Sequence, residues 1–262
     1  MSTRDINLTQ LLIIYAMLAV PAAILAVFRT GLVRRTLIAI VRMSLQLALV
    51  GLYLQYVFDL NNPWLNVAWF LVMVTVASAN VVHSANLRTR ALLPMVLIGI
   101  GLSTSCVLAV FVFAALRPQP FYDARYLIPI GGMILGNCMR GNVISLQRFF
   151  SGIRENGKEY MSSLFMGATV TEAVRPWVRR SLTAALSPTV STMATMGIVS
   201  LPGMMTGQIL GGSDPVTAVK YQTAIMVAIF VSVAMGAWLN LALCTRVGFN
   251  EYGMVRDDIF RS

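Results

Sequence analysis

Seven stretches of this chain are each close to twenty residues or longer and almost wholly apolar, and that feature leaves few folds open. They run over about 8–28, 36–58, 64–82, 92–115, 127–149, 188–211 and 215–244. A helix of about 20 apolar residues crosses the roughly 30 Å hydrocarbon core of a bilayer. Apolar residues fill nearly every face of these runs, as in a helix whose solvent is lipid. Only 11% of residues are charged, against 57% hydrophobic, whereas a soluble domain carries about 25% charge. The chain therefore reads as all-α: a polytopic bundle of about seven transmembrane helices, forming one membrane domain over residues 1–262. Pro63, Pro94, Pro129, Pro188 and Pro215 fall near the starts of runs, where a missing N–H costs a helix least.

The net charge of +10 is a topology signal and not a nucleic-acid surface. The basic residues sit singly or in pairs between apolar runs, with no stripe interleaved with aromatics. Fourteen of the twenty fall on one side: Arg29, Arg34 and Arg35; Arg88 and Arg90; the six from Arg148 to Arg180; and Arg246, Arg256 and Arg261. The other side holds four: Arg4, Arg117, Arg125 and Lys220. Basic loops face the cytoplasm, so the N-terminus is expected outside and the C-terminus in the cytoplasm, as an odd span count requires. Arg29, Arg34 and Arg35 follow the first run instead of preceding it, so that run reads as a retained span and not a signal peptide.

The chemistry is defined by what the spans lack. All ten acidic residues fall in expected loops or tails; an ion-coupled carrier usually places a carboxylate inside the membrane. No GxxxxGK[ST] phosphate loop is present, so nucleotide is not bound in that manner. The residues call for no catalytic activity and no cofactor. A pump so built must take its energy from a partner subunit.

The long cytoplasmic segment, about 150–187, is the expected coupling region. It reads as two short helices with a break at Gly167. The second opens on Thr169-Val-Thr-Glu172, a capping box, and places Val170, Ala173, Val174, Trp177 and Val178 at helical spacing; Pro176 is expected to kink it. Two compatible readings fit: an amphipathic helix on the membrane surface, or a docking element for a cytoplasmic partner.

Spans five and six carry the expected path. Gly203, Gly207 and Gly211 recur every four residues behind Pro202, a spacing that lets another helix approach closely. Span five adds Asn137, Arg140 and Asn142; Arg140 either faces protein or snorkels to the interface. Met133, Met139, Met193, Met196, Met204 and Met205 cluster in these spans, as soft-metal thioethers or as adaptable core filling. The residues assigned to the path are Asn137, Arg140, Asn142, Pro202, Gly203, Met204, Met205 and Gly207, with no metal ligand named.

Ser200-Leu-Pro-Gly-Met-Met-Thr-Gly207, Gly212-Ser-Asp-Pro-Val-Thr-Ala-Val-Lys-Tyr-Gln222, Ile128-Pro-Ile-Gly-Gly-Met-Ile-Leu-Gly-Asn137 and Leu186-Ser-Pro-Thr-Val190 together resemble the FetB-type permease family over nearly the whole chain. These are membrane subunits of ABC transporters linked to iron export, with plant relatives linked to aluminium tolerance. The resemblance implies an inner-membrane homodimer of permeases, a separate cytoplasmic P-loop ATPase subunit, and a metal or metal-chelate cargo. Gly167, Ala168 and Thr169 match the glycine-alanine core of the family's coupling loop, with Glu172 beside them. Met161 stands where that loop has glutamate, and Val170 where it has proline. A self-sufficient ion-coupled carrier is the principal rival, distinguished by transport without any ATPase. An intramembrane enzyme lacks acids at depth, and a scaffold is the remaining class.

Overall fold

The computed structural model describes residues 7–256 and 259–260, which leaves Arg4, Asp5, Asp257, Asp258 and Arg261 outside the described residues. Every regular element among them is helical: α1 (Leu8–Ala16), α2 (Ala19–Val27), α3 (Val33–Leu60), α4 (Pro63–Ser84), α5 (Thr89–Val110, continued by a π-helical stretch Phe111–Leu116), α6 (Ala124–Glu155), α7 (Gly157–Phe165), α8 (Val170–Thr195), α9 (Gly203–Leu210) and α10 (Pro215–Gly248).

Five segments are long and apolar enough to cross a membrane: Leu8–Val27, Val33–Leu60, Pro63–Ser84, Leu92–Leu116 and Pro215–Gly248. They coincide with five of the seven expected spans. The expected span at 127–149 lies within α6, 32 residues long and less apolar. Its position explains the difference. α6 packs against α4, α5, α8 and α10, so its buried face meets protein and can carry Gly131, Cys138, Gly141, Asn142 and Ser145.

The expected span at 188–211 needs correction. α8 runs unbroken from Val170 to Thr195, through Pro176 and Pro188, so the second cytoplasmic helix and the first part of span six are one helix. The expected boundary near residue 187, with Pro188 at a helix start, is absent. The break comes later, at 196–202, where Met196 is extended, Gly197 has φ +86° and Pro202 caps α9. The first apolar run is also divided, at Met17 and Leu18, into α1 and α2.

Prolines start two helices as expected. Pro63 and Pro215 each follow a capping side chain: Asn62 accepts from the Trp64 N–H and Asp214 from the Thr217 N–H, both at 3.0 Å. Asp123 caps α6 in the same way, accepting from the Arg125 N–H. The acidic residues of the described chain thus lie at helix ends, in caps or in the segments outside the bundle.

The core gathers α4, α5, α6, α8 and α10 around Ile134, Leu146, Phe149, Phe150 and Leu241. Close helix approach is made by Gly141 against Val233 and Gly236 against Cys138 and Ser103. The glycines expected to do this in span six do not. A side-chain carbon at Gly203 or Gly207 would meet nothing within 4 Å, because α9 lies at the rim of the bundle beyond the break. α1 to α3 are peripheral, and Val57 is their one buried residue.

At one end the chain folds back on itself. The Arg88 N–H donates to the Ile259 carbonyl at 2.7 Å, the Arg154 guanidinium lies 4.8 Å from the centre of the Phe260 ring, and the Tyr160 hydroxyl donates to the Gly253 carbonyl at 2.6 Å. Three of the four basic segments that the charge pattern assigns to one side therefore meet at one end of the bundle.

Candidate functional site

Two features stand out, joined by α8: a turn at its start and a cleft at its far end.

The turn connects α7 to α8. α7 ends at Phe165, and Gly167 takes φ +93°, a left-handed conformation open to glycine at little cost. The expected capping box is formed. The Thr169 N–H and hydroxyl donate to Glu172 Oε2 at 2.9 and 2.7 Å, and the Glu172 N–H donates to the Thr169 hydroxyl at 3.3 Å. These bonds favour the ionised carboxylate and hold Glu172 below its ordinary range. Behind the turn, Ala173, Val174 and Trp177 are buried as their spacing predicts. Tyr160 is buried too, and burial pushes its phenol up to about 12. At the tip, Phe165 and Met166 are 83% and 79% exposed, so an anchored turn presents an apolar point next to Gly167, Ala168 and Thr169. Beside it a groove of about 1450 Å³ carries Arg148, Arg175, Arg179 and Arg180 against Glu155 and Glu172. Arg180 stacks on Trp177 at 4.8 Å.

The cleft, of about 460 Å³, opens between α6, α8, α9 and α10. α6 contributes Met133, Asn137 and Arg140; α8 contributes Pro188, Thr189 and Thr192; the break contributes Met196; α9 begins with Pro202, Gly203 and Met204; and α10 brings Gln222 and Met226. Of the expected path residues, Asn137, Arg140, Pro202, Gly203 and Met204 meet here. Met205 and Gly207 lie on α9 outside this lining.

Asn142 is not brought to the cleft. It is fully buried between helices, accepts from Asn240 Nδ2 at 2.7 Å, and donates to the Cys138 carbonyl at 2.8 Å. Five residues separate it from Asn137, about 140° around a helix, so the two face different neighbours. Arg140, three residues on, returns to the side of Asn137, and its guanidinium donates to Asn137 Oδ1 at 2.9 Å. Asn137 in turn donates to the Met133 carbonyl at 2.8 Å.

Thr189, Thr192, Gln222 and Met226 were not expected. Gln222 and Met226, four apart on α10, share a face, a signal visible in the sequence. That this face meets the end of α8 was not.

The cleft lining holds no Asp, Glu, His or Cys, and among the described residues no group of three or more such side chains could hold a metal. Arg140 is its one formal charge. The lining offers one cation, amides, hydroxyls and thioethers to a bound solute.

The family described as "Uncharacterised protein family (UPF0014)" matches residues 8–249. The UPF0014 membrane protein slr1647 of Synechocystis is 36% identical over 211 residues, 80% of this chain and 82% of that protein. The rice UPF0014 membrane protein STAR2 is 32% identical, over 94% of this chain and 85% of its own length. The "Probable iron export permease protein FetB" of Escherichia coli is 29% identical over 94% of both chains. No solved structure matches.

Proposed function

This chain belongs to the UPF0014 family of membrane proteins, and from that membership we propose that it is the permease subunit of an ATP-binding-cassette transporter. It exports iron or another metal from the cytoplasm across the inner membrane, works as a homodimer, and is driven by a separate ATPase subunit. The "export permease" in the name of the Escherichia coli relative supports the transport class. The basic end of the bundle faces the cytoplasm by the positive-inside rule.

The observation that carries this reading is the continuity of α8. One helix of 26 residues, about 39 Å at 1.5 Å per residue, runs from the exposed Phe165–Thr169 turn to the cleft. Pro176 and Pro188 each remove one ladder bond, but the helix continues through both and packs along α6 and α10, so a displacement at its start is carried along its axis. In this reading the ATPase grips the turn through Phe165, Met166, Gly167, Ala168 and Thr169, with Glu172 fixing the start of α8. ATP binding pushes α8, which shifts Pro188, Thr192 and Met196 against Arg140 of α6 and Gln222 of α10. The path through Asn137, Arg140, Pro202, Gly203 and Met204 is then exposed to alternate sides. Asn142 holds α6 to α10 and is not part of the path.

The test is co-reconstitution with a candidate P-loop ATPase subunit that supports efflux by the wild type, comparing wild type with Gly167→Val. A β-branched residue at φ +93° strains the turn by about 1–2 kcal/mol or more. ATP-driven metal efflux should fall at least about tenfold, a loss of about 1.4 kcal/mol in coupling, while the permease still inserts and folds. Wild-type efflux and ATP turnover in this variant would remove the docking assignment.

A further inference from the structure

Building on the cleft as the path, we infer that the cargo occupies it as an anion, an oxygen-rich carboxylate or the metal complex of one, and not as a bare metal cation. Arg140 sits halfway along α6, between Ala124 and Glu155, and carries the one charge in the lining. A guanidinium stays protonated at any physiological pH. Among the described residues it donates to the neutral Asn137 oxygen, at 2.9 Å. That oxygen is itself fixed, because Asn137 Nδ2 is tied to the Met133 carbonyl. One side of the guanidinium fork is thereby aimed, and the remaining donors are left for a ligand that matches a planar fork, which is what a carboxylate does.

Nothing in the cleft compensates a bare cation. Iron or aluminium as a hard ion prefers charged or strong oxygen and imidazole donors, and the lining holds no carboxylate or histidine. Met133, Met196, Met204 and Met226 offer uncharged thioethers, poor ligands for a hard ion. Arg140 is an exposed side chain lining the cleft, and its charge repels a cation entering it. The start of α9 adds a field of the same sign. Pro202 supplies no side-chain cap, so the first N–H groups of α9 stand at the positive end of the helix beside the cleft. A chelated metal whose outer surface is carboxylate satisfies both, whereas the free ion satisfies neither.

The test uses the purified permease alone in lipid nanodiscs, so its outcome does not depend on the ATPase. Equilibrium binding is measured for labelled citrate, for ferric citrate, and for ferrous ion kept reduced without chelator. Saturable binding of citrate or ferric citrate is expected. It should weaken by about tenfold or more in Arg140→Gln, where a charge-assisted pair is lost, and by much less in Arg140→Lys, which keeps the charge but not the fork. Unchanged gel-filtration and circular-dichroism profiles establish that the variants are folded. Binding of the complex alone marks a metal chelate as cargo, and equal binding of free citrate marks an organic anion; both sustain the inference. Saturable ferrous binding indifferent to anion, no anion binding by the wild type, or full binding in Arg140→Gln overturns it. ATP-driven efflux without anion binding would sink this inference and leave the transporter reading standing; anion binding without ATP-driven efflux would do the reverse.

Discussion

Asn142 and Asn240 meet in the interior with both side chains fully buried, and their 2.7 Å hydrogen bond pins α6 to α10 where lipid offers no alternative partner. Replacing Asn142 with Leu strands the Asn240 amide. The expected cost is about 0.6–2 kcal/mol, the range for polar pairs between membrane helices, read as a lower midpoint in detergent unfolding. Citrate binding in the cleft should survive it, because Asn142 does not line that space. At the other end of α8, the lowered Glu172 carboxyl makes a signed pH prediction. A group whose folded pKa is depressed stabilises above its unfolded value and loses that contribution as pH falls through the folded one. The start of α8 should therefore fray only on acidification below the usual 4.5. Thr169→Ala should raise the Glu172 pKa towards that value, followed by carboxyl-detected NMR, and cost about 1 kcal/mol through the lost cap. The residue types and the capping box were legible from spacing alone. The role of Asn142 was not, although the 140° separation from Asn137 was an available warning.

Among the elements, α7 is held by few attachments. It is nine residues long, too short to be stable as an isolated helix. Tyr160 ties it to the C-terminal segment through the Gly253 carbonyl, and that segment reaches the loop before α5 through the Arg88 N–H and the Ile259 carbonyl. Tyr160→Phe keeps the ring packed and removes only the hydrogen bond. About 1 kcal/mol should be lost, seen as roughly fivefold faster amide exchange confined to α7 and the 249–256 segment. Faster exchange spread over α4 to α10 would contradict the local tether. The capped start of α8 was readable from its own residues, but its length was not. Pro176 and Pro188 argued for interruptions, yet both are accommodated because α8 packs along α6 and α10, and tertiary contact outweighs the lost ladder bonds. The actual break came at Gly197 and Pro202, where a left-handed glycine and a missing donor fall close together.

The whole molecule is a packed five-helix centre with peripheral, lipid-ready helices α1 to α3. The carboxylates among its described residues lie at helix ends, in caps or in loops, whereas an ion-coupled carrier usually places one at membrane depth. The lone subunit in liposomes should therefore move no metal uphill under an imposed ion gradient, assayed by trapped-dye uptake, and active pumping in that assay would return the secondary carrier to first place. The sequence by itself determined the membrane class, the helical content, five of the spans and the gathering of basic charge at one end. Those properties follow from hydropathy, length and local capping, which act over a few consecutive residues. Only the tertiary structure decided that α8 is one continuous helix, that the polar face of α6 meets protein, and that Arg140 lines one cleft with Thr192 and Gln222 while Asn142 is locked away from it. Those outcomes depend on which helix faces meet, and the energy of that meeting is shared between residues roughly fifty to a hundred positions apart.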